Sequence, residues 1–304
     1  MKVVLSLPNR NSYQQEQAHG AEATARELGI TLQVIDADDD AITQSQQLME
    51  IAQARQGRPD AILFEPLTST GLVRVAEVAV AAGIAWGVLN SDVDYLGRLR
   101  ATSKVPMFSV TRDHLEIGRV QGQQFGALLP SGGTVLYLQG PATSSAAVQR
   151  TTGLEATKPA NIKIKALKSQ WTEEGSQKVV SQWLQLSTSQ ASAFDLVGCQ
   201  YDGIAMGARK AFQEQINPQS RQAWLQLPFT GVDGLPKEGQ AWVNQGTLAA
   251  TVISPTTTPT ALRLMHRALA SGVEPSERTV LEAKSYPSLE ELRKRSAHHL
   301  VERK

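Results

Sequence analysis

The sequence predicts an α/β fold with two doubly wound parallel-sheet domains. Short β-branched apolar runs alternate with longer helical stretches, which is typical of βαβ units around a parallel sheet. The runs predict buried strands at residues 3–7, 32–35, 61–64 and 85–89, and again at 134–138, 162–167, 196–199, 229–232 and 249–253. The second half of the chain thus repeats the architecture of the first.

Helical spacing and cap residues place the helices between these strands. Ala18, Ala21 and Ala25 recur at helical spacing, and Gly29 follows as a C-terminal stop. Further helix starts are predicted at cap positions, namely Asp40, Ser69 or Thr70, and Asp113. The remaining helices are predicted near residues 145–157, 172–186, 203–215, 236–244 and 257–270, and a strand is predicted near 279–283. An exposed charged helix is expected from Ser288 onward.

An irregular stretch at residues 91–106 marks the predicted domain boundary. We expect an N-terminal lobe of residues 1–106 plus 255–276, and a C-terminal lobe of residues 107–254 plus 277–287. Residues 288–304 are expected to form a C-terminal helical tail. Because no linker or low-complexity segment separates the halves, we expect several chain crossings, which amount to a multi-strand hinge.

Composition argues against several partners. The chain of 304 residues has 30 basic and 29 acidic residues, and no long block of like charge, so we expect no nucleic-acid partner. No segment approaches the ~20 apolar residues of a spanning helix, so we expect no membrane insertion. The opening MKVVLSLPNRN is too short for a signal-peptide core. A periplasmic location is expected if a signal peptide was removed, and a cytoplasmic one if Met1 is native.

The usual signatures of catalysis, nucleotides and metals are missing from the sequence. It contains no Walker lysine motif, no G-x-G-x-x-G after a strand and no G-x-S-x-G elbow. The five histidines are scattered without ligand spacing, and Cys199, the only cysteine, reads as a buried structural thiol. We therefore expect no cofactor, no metal site, no catalytic residues and no enzyme activity.

Six strings of residues carry a family resemblance. The first half contains HGAEATARELGITLQVIDADDD, DAILFEPLTSTGL and AGIAWGVLNSD, and the second contains GPATSSAAVQRTTGL, VGCQYDGIAMGARKAF and TGVDGLPKEGQAWVNQGTLAATV. In this order they resemble the type I periplasmic binding proteins of the ribose-binding-protein-like branch. The resemblance implies a monomer that closes about a hinge on a small polar ligand, such as a sugar or polyol. If exported, it would deliver that ligand to an ABC permease.

In doubly wound sheets, ligands lie beyond the carboxyl ends of the strands. By resemblance, Asn11 and Tyr13 supply an amide and an aromatic ring after the first strand; the alternatives are a loop cap and a partly exposed aromatic. Asn90 and Ser91 stand where sugar-binding relatives often carry Asp-Arg. The loss of both charges predicts fewer charge-assisted hydrogen bonds and puts ribose in doubt.

The second half supplies the other candidates. Arg150 is expected to donate to ligand oxygens, and Trp171 to form a second aromatic wall. Tyr201 replaces an amide that is common in relatives, Asp233 is expected to accept from two neighbouring hydroxyls, and Ser254 replaces a longer amide. The alternatives are a solvated helix arginine, a plain core or surface tryptophan, and a helix N-cap at Asp233.

Two other classes of function remain open from the sequence. The same fold serves as a cytoplasmic ligand sensor related to the effector domains of lac-repressor-like regulators, although no helix-turn-helix precedes the first strand in this sequence. An enzyme on this fold is the third class. The ligand itself is left open between an inositol, a deoxy sugar, a polyol and a non-sugar.

Overall fold

The computed structural model describes residues 1–68, 70–186 and 194–302, with side chains up to Ser296. The chain forms two compact units. The first unit comprises Met1–Arg112 and Pro255–Leu281, and the second comprises Asp113–Ser254 and Glu282–Lys304. The chain therefore passes from one unit to the other three times. Both units have a sheet surrounded by helices, which confirms the α/β class.

The first unit is built on a six-stranded parallel sheet in the order β11-β5-β4-β3-β1-β2. Its strands are β1 (Lys2–Leu7), β2 (Thr31–Asp36), β3 (Ala61–Phe64), β4 (Ala85–Leu89), β5 (Met107–Arg112) and β11 (Arg278–Leu281). Its helices are α1 (Ser12–Leu28), α2 (Ala41–Gln53), α3 (Val73–Ala81), α4 (Leu96–Arg100) and α11 (Thr258–Ser271).

Most local signals in the first unit act as predicted. Gly29 ends α1 with a φ of 65°, a left-handed conformation that glycine adopts without steric cost. The Asp40 side chain caps α2 by accepting from two backbone N–H groups. Helix α3 begins later than predicted, since Leu72 precedes its first residue without a side-chain cap. The predicted starts were Thr70, which precedes the helix, and Ser69, which lies outside the described residues.

The second unit repeats this design. Its sheet has the order β12-β10-β9-β8-β6-β7, and only β12 runs antiparallel among the described strands. Its strands are β6 (Gly133–Gln139), β7 (Ile162–Lys168), β8 (Leu196–Cys199), β9 (Phe229–Asp233), β10 (Ala250–Ile253) and β12 (Lys284–Tyr286). Its helices are α5 (His114–Leu128), α6 (Ser145–Thr157), α7 (Glu173–Leu184), α8 (Asp202–Gln213), α9 (Pro218–Leu225), α10 (Gly239–Asn244) and α12 (Leu289–Glu302).

The division of the chain differs from the predicted domain bounds at two strands. Strand β5 pairs with β4, and β11 pairs with β5, so both belong to the first sheet. The irregular stretch at residues 91–106 is therefore a connection within the first unit, and it includes the short helix α4. The bounds 107 and 277 were placed too early because an interruption in the βα rhythm was interpreted as a change of domain.

Both faces of the first sheet are buried. Neighbouring residues of β1 point to opposite sides, so Val4 joins a core with Phe64 and Trp86, while Leu5 joins another with Met265. This double burial explains why the strands read as continuous apolar runs. No helix among the described residues is long and apolar enough to cross a membrane.

The charged C-terminal helix α12 is not a free tail. Its Leu292 is 1% exposed and packs in a cluster with Ala127 and Ala250 of the second unit. Most of its described side chains are exposed, as expected, but a single apolar face suffices to dock the helix on the second unit.

Removal of the Leu292 side chain is expected to lower the free energy of unfolding by about 2–3 kcal/mol, as for other buried leucines. Urea unfolding of Leu292→Ala measures this loss. Arg293→Ala, at the neighbouring exposed position, is the control and should change the midpoint little. Equal midpoints for the two variants would show that α12 does not stabilise the second unit.

Candidate ligand-binding site

In the first unit, Tyr13 lies in the first turn of α1 and is 3% exposed. Gln17, one turn further on, donates its side-chain amide to the Tyr13 hydroxyl over 3.1 Å. The same Gln17 side chain accepts from the backbone N–H groups of Thr257 and Thr258 at the start of α11. The position of the tyrosine ring is thus set by a buried contact between two helices, and the alternative of a partly exposed aromatic was wrong.

Asn90 directly follows β4 and adopts a φ of 63°, a left-handed conformation that asparagine tolerates better than most residues. Its side chain is buried between two charged groups. The Asn90 Nδ2 donates to Glu65 Oε1 over 2.6 Å, and Asn90 Oδ1 accepts from Arg112 Nε over 2.5 Å. Glu65 also accepts from Gln14 Nε2 over 3.1 Å.

The Arg112 guanidinium lies 4.1 Å from the centre of the Tyr13 ring. Stacking of this kind stabilises the cation and keeps the ring in place. Arg112, Glu65 and Gln14 were not among the predicted site residues. Glu65 follows β3 directly, so the rule that ligands lie beyond the carboxyl ends of the strands could have identified it. Arg112 was missed because β5 itself was not recognised.

The other two candidates of the first unit have different surroundings. The Asn11 side chain accepts from Gln14 N over 3.0 Å and caps α1, as the alternative reading of a loop cap predicted. Ser91 is half-buried, and its backbone N–H donates to the Leu89 carbonyl over 2.7 Å. Arg112 thus contacts both Tyr13 and Asn90. Asn11 and Ser91 are their neighbours along the chain.

In the second unit, Asp233 ends β9 with a φ of 104° and is 5% exposed. Helix α10 begins only at Gly239, so the alternative of a helix cap at Asp233 was wrong. The Ser254 N–H donates to the Asp233 carbonyl over 3.1 Å, which places these two candidates on neighbouring strand ends. Within the described residues, the buried Ser254 hydroxyl has no hydrogen-bond partner.

Arg150 is 2% exposed, so the solvated-arginine alternative was wrong. Its Nη1 donates to the Gln200 backbone carbonyl, and its Nη2 lies 3.9 Å from Asp233 Oδ1. The guanidinium centre lies 5.4 Å from the Trp171 ring centre. The structure therefore brings Arg150, Trp171 and Asp233 together.

Gln200, which follows β8, is a further residue that the sequence analysis missed. Its Oε1 accepts from Gly140 N over 2.9 Å, and its Nε2 donates to the Ala147 carbonyl over 2.9 Å. These bonds tie α6, which carries Arg150, to the strand ends. A Cβ at Gly140 would lie 2.2 Å from the Trp171 ring, so only glycine lets that ring lie there. The buried Tyr201 ring lies over Gly203 in the first turn of α8.

Asp202, beside this cluster, is 1% exposed. Its carboxyl oxygens accept from Thr251 Oγ1 and Gly234 N, both over 2.8 Å. Burial, with the neighbouring charge of Asp233 as a second cause, raises the pKa of Asp202 well above its usual value. Burial likewise raises the pKa of the Cys199 thiol, which lies inside the protein as predicted.

The raised pKa of Asp202 predicts a pH-dependent loss of stability. Above about pH 4 an unfolded chain ionises this aspartate while the folded chain keeps its proton, so stability should decrease as the pH rises toward the folded pKa. Asp202→Asn cannot ionise, and its free energy of unfolding should decrease less over that range. Urea unfolding at a series of pH values measures both slopes. Parallel curves for the two proteins would contradict a neutral Asp202.

Each unit brings a cation and an anion together at its strand ends. Glu65 and Arg112 share Asn90 in the first unit, and Asp233 faces Arg150 in the second. A ring stands against the guanidinium in both units. Such an arrangement can pack the C–H face of a ligand and hydrogen-bond its hydroxyls. Among the described residues, no group of three His, Cys, Asp or Glu side chains could hold a metal ion.

Two α/β units with one strand order, each with polar side chains at the carboxyl ends of its sheet, define the class of type I periplasmic binding proteins. A family model described as "Periplasmic binding protein domain" matches residues 3–270. The chain belongs to this family, and the resemblance inferred from its sequence strings is confirmed.

Known proteins agree with this assignment. The ribose import binding protein of Escherichia coli is 26% identical over 233 residues, which are 77% of this chain and 72% of that protein. The crystal structure of the Caulobacter myo-inositol binding protein superposes with a TM-score of 0.78 at 22% identity and covers 96% of this chain and 94% of that one. An ABC transporter solute binding protein from Actinobacillus succinogenes with bound D-allose gives 0.79 at 21%, covering 96% and 99%.

Proposed function

We propose that this protein captures a neutral sugar or polyol and delivers it to an ABC transporter permease. The family supports the first part, and the similar proteins named for ribose, myo-inositol and D-allose indicate the kind of solute. The second part follows from the name of the solute binding protein in the D-allose complex. On this proposal the protein works in the periplasm as a monomer, and it carries out no chemical step on its ligand.

The observation that carries the proposal is the shared chemistry of the two sheet ends. Each unit presents a guanidinium, a carboxylate and an aromatic ring where a doubly wound sheet binds its ligand. Aromatic faces suit the apolar C–H face of a sugar ring, and charged donors and acceptors make strong hydrogen bonds with hydroxyls. Tyr13 and Trp171 are the proposed ring contacts, and Arg150 and Asp233 the proposed polar contacts.

The charge balance favours an uncharged ligand. Asp233 and Arg150 are 5% and 2% exposed, and each faces the other. A charged solute would bring an additional charge into a buried site whose own charges already compensate one another, at a high desolvation cost. A hydroxyl-bearing solute needs no such compensation.

Hinge closure is part of the proposal. A solute held by residues of both units would stabilise a closed state relative to an open one, since its contacts with both units exist only there. The three passages of the chain between the units support a hinge of several strands. Asn11, Asn90, Ser91, Tyr201 and Ser254 are proposed to shape the site. The smaller or neutral side chains of Asn90, Ser91 and Ser254 favour a ligand that differs from ribose, such as an inositol.

A thermal-shift screen tests the proposal. The panel pairs neutral solutes, namely myo-inositol, D-allose and D-ribose, with charged relatives, namely D-gluconate and D-glucosamine. A ligand that binds only the folded state raises its melting temperature, so at least one neutral member should raise it and the charged members should not. A shift with the charged members alone would overturn the proposed ligand class.

A further inference from the structure

Three neighbouring strand ends of the first unit are connected by buried hydrogen bonds. Arg112 at the end of β5 donates to Asn90 after β4, and Asn90 donates to Glu65 after β3. These strands are consecutive in the sheet. The three side chains form one continuous chain of donors and acceptors, which we call the Arg-Asn-Glu relay (Arg112, Asn90 and Glu65).

The relay leaves the Asn90 amide a single orientation. A guanidinium can only donate, so the amide oxygen must face Arg112, and an ionised carboxylate can only accept, so the amide nitrogen must face Glu65. If the amide were flipped, its NH2 group would face the Arg112 donor and its oxygen would face the Glu65 acceptor. The amide therefore links the positive and the negative end of the relay, and each hydrogen bond polarises the other.

The relay is also well shielded from water. Arg112 and Asn90 are each 5% exposed, and Glu65 is 8% exposed. Arg112 stacks on the Tyr13 ring, and Gln14 donates to Glu65 from the same turn of α1. Buried charges are costly unless compensated, and here one cation compensates one anion through a neutral amide.

The relay changes the interpretation of the Asn90 and Ser91 pair. Their sequence predicts a loss of both charges after the fourth strand, and hence fewer charge-assisted hydrogen bonds. The structure retains a carboxylate and a guanidinium at this place, carried by β3 and β5 on either side of Asn90. The charges are displaced to the adjacent strand ends rather than lost.

We propose that the Arg-Asn-Glu relay determines the charge selectivity of the candidate site. Arg112 is a positioning residue: it balances Glu65 through Asn90, so that the site accepts a neutral polyhydroxy solute and disfavours a cationic or an anionic one. This inference rests on the proposed function, because it assigns the charge preference of the same site.

Charge-removing variants test the inference. The probes are D-allose, which is neutral, D-glucosamine, which is a cation at slightly acidic pH, and D-gluconate, an anion. Arg112→Met removes the positive end of the relay and keeps Glu65, so it should shift the affinity ratio toward D-glucosamine by about tenfold or more. Glu65→Gln should shift the ratio toward D-gluconate to a similar extent. The double variant is neutral again and should regain the preference for D-allose. Calorimetric titration of each variant with the three probes measures these affinity ratios.

Three comparisons separate selectivity from a merely structural role. If the single variants weaken all three probes equally, the ratios stay constant and the inference is overturned. Arg112→Lys retains the charge but not the stacking geometry, so it should keep the wild-type ratio at a lower affinity. Arg55→Met removes an exposed arginine of the same unit and should change neither ratio nor affinity.

A measurement without ligand distinguishes failure of this inference from failure of the proposed function. If wild type binds no neutral solute, the proposed function fails, and the relay is tested by melting temperatures alone. The shifts caused by Arg112→Met and Glu65→Gln should then be non-additive, and they should become additive when Asn90 is replaced by alanine. Additive shifts in the wild-type background would overturn the balancing of Glu65 by Arg112.

Discussion

Replacement of Asp233 by alanine is expected to abolish measurable binding of the best neutral ligand. The proposed role of this carboxylate is to accept from two neighbouring hydroxyls. Each hydrogen bond to a charged acceptor is worth about 1.5–3 kcal/mol, so the loss of both should weaken binding about a hundredfold or more. The thermal shift of the wild-type ligand should therefore disappear, and calorimetric titration should detect no heat of binding.

Asp233→Asn separates the charge from the shape of the side chain. The position has a φ of 104°, which asparagine tolerates better than alanine does, so the asparagine variant should keep the local backbone. It should still lose most of the affinity, because an amide offers only one acceptor oxygen. Glu174→Ala removes an exposed carboxylate of the same unit and serves as the control. Unchanged binding by Asp233→Asn would remove the principal proposed contact.

Replacement of Arg150 is expected to weaken both ligand binding and the stability of the fold. The sequence alone predicts weaker binding without unfolding, but the structure gives this side chain a structural part as well. Arg150 is 2% exposed, bonds to the Gln200 backbone and faces Asp233. Arg150→Met should remove the cation that faces the buried Asp233 carboxylate and lower the free energy of unfolding by about 3 kcal/mol. Urea unfolding measures that loss, and titration should show weakened binding.

Arg150→Lys provides the matched comparison. Lysine keeps the charge near Asp233 but loses the planar fork that reaches the Gln200 carbonyl and stacks on Trp171. It should therefore recover much of the stability and only part of the affinity. If Arg150→Met binds the ligand as tightly as wild type, Arg150 is a structural arginine only, and the proposed contact is wrong.

The repeated architecture could be predicted because the central strands of each sheet are buried on both faces and therefore form continuous apolar runs. Strands such as β3 and β4 have the predicted bounds, since each is a short apolar run followed directly by a polar residue. Strand β12 has three residues and no apolar run, so no periodicity marks it. Strand β5 follows an irregular stretch and was not predicted, so its residues were placed in the wrong domain. Pairing across the sheet, rather than local pattern, determines its place.

The site was predictable where position along the chain carries the information. Asp233 could be proposed because it follows an apolar run at a strand end. Glu65 stands in an equivalent position, but its importance depends on Asn90 and Arg112, which are distant in sequence and meet only in the folded sheet. From the sequence alone, the neutral Asn90 indicates that a charge has been lost at this position. Its two charged partners become visible only through the strand order.

The most direct test is calorimetric titration of the wild-type protein with myo-inositol, D-allose and D-ribose. Residues of both units are proposed to hold a single solute molecule, so a neutral member should bind saturably with one molecule per chain. Two molecules per chain would mean that each unit binds its own ligand. Binding of none, with tight binding of D-gluconate or D-glucosamine instead, would contradict the capture of a neutral sugar or polyol.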